Sequence, residues 1–215
     1  MKLVLFDCDG TLVDSVNVIH TCMERTFDDF GLPRPALAHT KSIIGLTLDI
    51  AIARMLERNV DEEIAAMTAR YKEHFMLHRQ NGGALENTYD GIGPLIAGLA
   101  ERDDVVLGVV TGKSRRGLSA ILEHHGMTKS FFITRTADDC PSKPHPAMVL
   151  ECCAEAGIGP EATIVIGDAI YDMQMAVSAG ARGIGVSWGY APVEALLAAG
   201  ADRIAHSADE IAGII

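Results

Sequence analysis

With 215 residues, 48% of them hydrophobic and 22% charged, the chain is long and apolar enough for one ordinary domain carrying a sizeable insertion, and too apolar for disorder. Its net charge of -11 argues against a duplex nucleic-acid surface, which needs clustered Lys and Arg. No apolar run approaches the length that spans a bilayer, about 20 residues, and the first residues lead straight into a chemical motif, so neither a membrane nor a leader peptide is expected.

Lys2-Leu3-Val4-Leu5-Phe6 reads as a buried strand that ends abruptly in Asp7-Cys8-Asp9-Gly10-Thr11-Leu12. The carboxyl end of a parallel strand is where ligands bind. Gly10 lets the chain turn at once, so the Asp7 side chain and the backbone at Asp9 face one small volume suited to a hard cation and a phosphate. Asp14 or Ser15 then caps a helix whose apolar positions are Val16, Ile19, Met23, Phe27 and Phe30, stopped by Gly31 and Pro33. Helical patterns continue from Leu46 to Glu57 and from Asp61 to Arg79, the latter ended by Asn81-Gly82-Gly83.

From about residue 84 the rhythm changes to short apolar runs alternating with helices. Val105 to Val110, Phe131 to Ile133, Thr163 to Ile166 and Gly183 to Val186 read as buried strands, and their βαβ repetition implies a parallel sheet. The expected architecture is α/β. A Rossmann-like parallel core is built from residues 1–15 and 85–215, and an all-helical cap is inserted at residues 16–84. The inserted stretch is nearly neutral while the rest is strongly acidic, which suits an insert that closes over an anion. Hinges are expected near Asp14 to Val16 and near Asn81 to Asp90, where Gly82, Gly83 and Gly91 occur.

Three further stations follow strands as Asp7 follows the first. Thr111 and Gly112, ahead of a helix that Ser114 can cap, collect a hydroxyl and free N–H groups into an anion cradle. Lys143 stands among Pro141, Pro144 and Pro146, which stiffen its loop and make it a fixed counter-charge for phosphate. Asp168 and Asp172 place two carboxylates four apart at a helix start, and such oxygens suit magnesium.

These four stations, in this order over essentially the whole chain, resemble the haloacid dehalogenase superfamily, and within it the helical-cap phosphatases of the phosphoglycolate phosphatase and β-phosphoglucomutase type. The resemblance implies that Asp7 is a nucleophile forming an aspartyl-phosphate and that Asp9 is the general acid and base. It implies that Thr111, Gly112 and Lys143 hold the phosphoryl oxygens. Mg2+ would bind through Asp7, the Asp9 carbonyl and Asp168, with Asp172 ordering its water shell. Ala169 departs from the Thr or Ser common after the motif aspartate, which removes a supporting hydrogen bond. Expected partners are a small phosphorylated metabolite, phosphoglycolate first, with no nucleic acid and no membrane; a monomer or homodimer is expected. A phosphomutase is the close alternative, although the Arg-Gly-x-Ser-Arg segment of that branch is absent. A receiver-like signalling domain or a silent phosphate-binding protein is the alternative outside enzymes, and the full set of stations argues against both.

Within the insert, the turn Gly45, Leu46 and Thr47 is the expected specificity loop, with Lys41 and Arg54 as anion contacts near it in sequence. His74 and His78 read as a solvated pair rather than a metal site. Arg115 and Arg116 read equally as substrate contacts after the phosphate loop or as exposed helix positions. Cys8 reads as a small buried side chain, with oxidation at the metal site as the sharper alternative. The five cysteines are odd in number and show no Cys-x-x-Cys spacing, so reduced thiols and a cytoplasmic setting are expected.

Overall fold

Alternation along the first strand decides how the sheet is covered. In the computed structural model, which describes residues 1–81 and 86–215, β1 (Lys2–Phe6) turns Leu3 and Leu5 to one face and Val4 and Phe6 to the other. Val4 and Phe6 pack with Ile92, Ile96 and Leu99 of α5 (Ile92–Ala100) and Leu118 and Ile121 of α6 (Arg115–His124). Leu3 and Leu5 pack with Met148, Val149 and Cys152 of α7 (Ala147–Ala156) and Met175 of α8 (Ile170–Ala179). The result is a sheet buried on both faces, as βαβ winding requires.

The sheet has six strands, all parallel. β1 is flanked by β4 (Val105–Val110) and β6 (Thr163–Gly167). Outside β4 lies β5 (Ile133–Arg135); outside β6 lie β7 (Arg182–Val186) and β8 (Arg203–Ala205). The order β5-β4-β1-β6-β7-β8 reverses its winding at β1, so a crevice opens there at the strands' carboxyl ends. Asp7, Thr111 and Asp168 each follow one of the three central strands and therefore stand side by side.

Between β1 and α5 the described residues make four helices: α1 (Val16–Asp29), α2 (Leu37–Lys41), α3 (Leu48–Met55) and α4 (Glu62–Gln80). They bury a cluster of their own, including Met23, Phe27, Ile52, Ile64 and Met67, and this cluster also takes in Ala169 and Tyr171 from the start of α8. Asp61 caps α4 by accepting from the Ile64 N–H at 2.9 Å. A two-residue antiparallel ribbon, β2 (Val13–Asp14) with β3 (Asn87–Thr88), lays the chain entering the helices beside the chain leaving them. The second expected hinge at Gly82 and Gly83, and the boundary at residues 84–85, lie outside the described residues.

Some expectations shift. The strand placed at Phe131 to Ile133 runs instead over Ile133–Arg135. Phe131 is drawn into the core edge-on to Phe6, 6.3 Å between ring centres, while Phe132 is 70% exposed, so this apolar pair precedes the strand. Ser15 occupies the cap position of α1 without a side-chain bond to the helix; Asp14 Oδ1 accepts weakly from the Val16 N–H, at 3.4 Å.

Candidate active site

The carboxyl ends of β1 and β6 deliver three carboxylates to one closed volume. Asp7, Asp168 and Asp172 are all fully buried, and one oxygen from each lies within 4.8 Å of the others. Lys143 reaches in from the proline-stiffened loop, also buried, with Nζ 2.8 Å from Asp7 Oδ1 and 2.6 Å from Asp172 Oδ1. Asp7 Oδ2 has no hydrogen-bond partner among the described residues. Asp168 is held on both oxygens: the Thr11 hydroxyl donates to Oδ1 at 3.0 Å and the Tyr190 N–H to Oδ2 at 2.9 Å. Glycines make room for it, because a Cβ on Gly10 or Gly189 would stand 2.2 or 2.1 Å from atoms of the Asp168 side chain. Asp172 Oδ2 accepts from the Ala169 N–H at 3.0 Å, so this helix start is capped from within even though Ala169 has no hydroxyl.

Electrostatics say what this volume is suited to hold. Burial pushes the Asp7 carboxyl up to about 7 despite the opposing Lys143 ammonium, with Asp172 adding to the rise. Burial, with Asp7 and Asp172 alongside, likewise raises Asp168 well above the ordinary carboxyl range. Lys143 is raised too: burial works against its charge, but Asp172 and Asp7 outweigh it. Ionised together, three carboxylates facing one ammonium would leave two negative charges uncompensated, the charge of one magnesium ion. The donors are hard oxygens, one of them unpartnered, so the residues present fit that ion.

In front of this cluster lies a cavity of about 940 Å³, and Asp7, Asp9, Thr111, Gly112, Leu46 and Thr47 are among the residues that line it. Thr111 follows β4 with its N–H given to the Arg135 carbonyl, and its hydroxyl oxygen accepts from the Lys113 N–H, leaving the hydroxyl proton free. Ser114 caps α6 by accepting from the Gly117 N–H at 3.2 Å. The turn at residues 45–47 reaches the sheet side directly. The Thr47 N–H donates to the Ser142 hydroxyl at 2.9 Å, and a Cβ on Gly112 would lie 2.4 Å from the Leu46 carbonyl oxygen. Gly45 (φ 102°) packs against Ala169, where its own Cβ would come within 3.2 Å of the Ala169 Cβ.

Asp7, Asp9, Thr111, Gly112, Lys143, Asp168 and Asp172 thus converge, and Gly45, Leu46 and Thr47 face them across the cavity. Lys41, Arg54 and His74 part from the geometry expected of them. Neither Lys41 nor Arg54 lines the cavity; Arg54 donates to the Tyr171 hydroxyl at 2.7 Å and lies over that ring. His74 is buried with Nε2 2.7 Å from the exposed Asp29, so it is paired with that carboxylate rather than half of a solvated pair. Arg115 is tied to Asp139, whereas Arg116 lines the cavity rim. Cys8 is buried, and burial, with Asp9 adding, pushes its thiol well up, which opposes a reactive thiolate. All five cysteines are free and buried.

Sequence reasoning missed Lys113, Glu86, Tyr190 and Gly189. Lys113 Nζ is 2.8 Å from Asp9 Oδ1 and 3.5 Å from Glu86 Oε1. Burial opposes its charge, yet the two carboxylates hold its pKa above the ordinary lysine value. The one signal available was its place two residues beyond Thr111, at the mouth of the anion cradle.

The family described as haloacid dehalogenase-like hydrolase matches residues 4–186. The protein named Probable phosphatase IndB of Dickeya dadantii is 31% identical over 98% of this chain and 92% of that protein. The phosphoglycolate phosphatase of Nitrosococcus oceani is 30% identical over 88% of this chain and 85% of that protein. Among solved structures, a hydrolase from Pseudomonas syringae superposes with a TM-score of 0.85 at 22% identity, covering 99% of this chain and 97% of that one, a likeness of fold.

Proposed function

Since the chain belongs to the haloacid dehalogenase-like hydrolases and is a phosphatase of that family, we propose that it hydrolyses a small phosphate monoester with magnesium, through a phosphorylated Asp7. One observation carries this reading: Asp7 lines the cavity with an unpartnered carboxylate oxygen beside Lys143, and a second carboxylate, Asp9, lines the same cavity.

In this mechanism an Asp7 oxygen attacks phosphorus while the bond to the leaving oxygen breaks, and Asp9 gives that oxygen its proton. Asp9, now ionised, takes a proton from water, whose attack on phosphorus releases phosphate and restores Asp7. Because the transition state is loose, the protein's main contribution is alignment and charge stabilisation. The Thr111 hydroxyl and the Gly112 N–H hold the transferring oxygens, and Lys143 keeps Asp7 ionised and aligned. Magnesium held by Asp7, the Asp9 carbonyl and Asp168, with Asp172 ordering its waters, would supply the positive charge that lets two anions approach.

The helices at 16–84 act as a cap whose turn at Gly45, Leu46 and Thr47 selects the leaving group. The five free thiols support a reducing cytoplasmic setting, and no helix among the described residues is long and apolar enough to cross a membrane. The test is phosphate release from a panel of phosphoglycolate, sugar phosphates, nucleotides and p-nitrophenyl phosphate, with and without magnesium. Metal-dependent release that Asp7→Asn abolishes is expected. Isomerisation of a sugar phosphate without release would give the site to a phosphomutase instead.

A further inference from the structure

We propose that Lys113 is a positioning residue for Asp9, clamping its carboxylate at the cavity wall, and that Glu86 clamps Lys113 in turn. The inference rests on the reading of Asp9 as the acid that protonates the leaving oxygen. Such an acid must be held within hydrogen-bond reach of that oxygen, about 3 Å, which a short side chain on a turn does not achieve unaided. Among the described residues Lys113 Nζ is the one cation within 4.0 Å of the Asp9 carboxylate.

Lys113 is itself built in rather than draped over the surface. Its side chain is 8% exposed, and Nζ lies 5.4 Å from the centre of the Phe75 ring on α4. Its N–H goes to Thr111 Oγ1 at 3.1 Å and its carbonyl accepts from the Ala137 N–H at 3.1 Å, which fixes both ends of the residue. Gly117, one turn into α6, leaves space for the stem: a Cβ there would stand 2.9 Å from Lys113 Cγ. Glu86 is equally confined, 3% exposed at the side chain, with Oε2 3.5 Å from Arg79 and its carbonyl accepting from His125 Nε2 at 2.8 Å. With two carboxylates already against it, Lys113 is committed to the protein.

The experiment compares kcat/KM, which reports events through departure of the leaving group, for two substrates. p-Nitrophenolate leaves without a proton; the alkoxide of phosphoglycolate, or of the best alkyl phosphate in the panel above, needs one. Lys113→Met is expected to lower kcat/KM for the alkyl phosphate about 100-fold but for p-nitrophenyl phosphate less than about 10-fold, since only the first depends on general-acid delivery. Asp9→Asn, run beside it, is expected to show the same selectivity more strongly. An equal fall on both substrates, or none, for Lys113→Met overturns the inference while selective loss in Asp9→Asn leaves the reading of Asp9 intact. Absence of selectivity in Asp9→Asn overturns both. Should Lys113→Met fail to fold, Gly117→Ala, which crowds the stem, and Glu86→Gln, which loosens its anchor, decide the matter. A smaller selective loss in them supports the clamp, and a uniform loss or none overturns it.

Discussion

Lys143 and Asp172 form an ion pair with no solvent access on either side, Nζ to Oδ1 2.6 Å. Breaking such a pair from one side strands a buried charge, which costs about 3–5 kcal/mol. Lys143→Met is therefore expected to lower the stability of the metal-free protein by about that amount in urea denaturation. The double variant Lys143→Met/Asp172→Asn should lose less than the two singles together, because it removes the stranded charge as well. Additive losses would show that the two residues are not coupled.

A second expectation concerns pH in the absence of metal. Burial holds the Asp7 carboxyl at about 7, against 3.8 in an unfolded chain, and Asp168 is raised in the same direction. Between those values the folded chain keeps protons that the unfolded chain has released. The contribution of Asp7 to stability therefore falls as pH rises through that window and levels off above it, and Asp168 acts in the same direction. Thermal unfolding in EDTA should give a higher midpoint at pH 5 than at pH 7, with the difference reduced by magnesium and in Asp7→Asn. A midpoint that climbs over this range in EDTA, with the same slope in Asp7→Asn, would contradict it.

Asp7→Asn changes one oxygen to nitrogen in a site where three carboxylates crowd one ammonium. Turnover should drop by about 10⁴-fold or more, as for loss of a nucleophile. The far-ultraviolet circular dichroism spectrum should be unchanged, and the metal-free protein should unfold no earlier than the wild type, because the substitution relieves carboxylate repulsion. Full activity in this variant would remove Asp7 from the chemistry.

Gly112→Ala tests the contact between the proposed phosphate cradle and the turn above it. The added Cβ would fall 2.4 Å from the Leu46 carbonyl oxygen, and backbone there cannot yield as a side-chain tip can. Overpacking of this kind costs about 1–3 kcal/mol. The variant is expected to lose at least about tenfold in kcat/KM with a matching loss of stability. Kinetics indistinguishable from wild type would mean that Leu46 moves away freely.

What could be read from the chain follows from locality. Asp7, Asp9 and Gly10 are legible because a strand, a turn and two carboxylates lie in one short stretch, and Asp168 and Asp172 because helical spacing puts them together. Tyr190 was invisible for the opposite reason. It gives its N–H to Asp168 and its side-chain oxygen meets Ser15, contacts that only the sheet order brings about. Lys113 reads as one more basic residue at a helix start until Asp9 and Glu86 arrive from earlier parts of the chain. The strand misplaced at Phe131 shows the limit of composition, since two adjacent phenylalanines went to opposite environments.

The ribbon of Val13 and Asp14 against Thr88 and Asn87 has a consequence beyond this chain. Because the outgoing and returning backbones are fastened together before any helix begins, the inserted helices join the sheet side at one fixed place, whatever is strung beyond it. A segment of different length or shape could be exchanged there as a jeweller changes the stone in a fixed setting, giving new substrate tastes on unaltered chemistry. On the proposed reading of the helices as a cap, the clasp makes selectivity a replaceable part, and the reaction centre the part that stays.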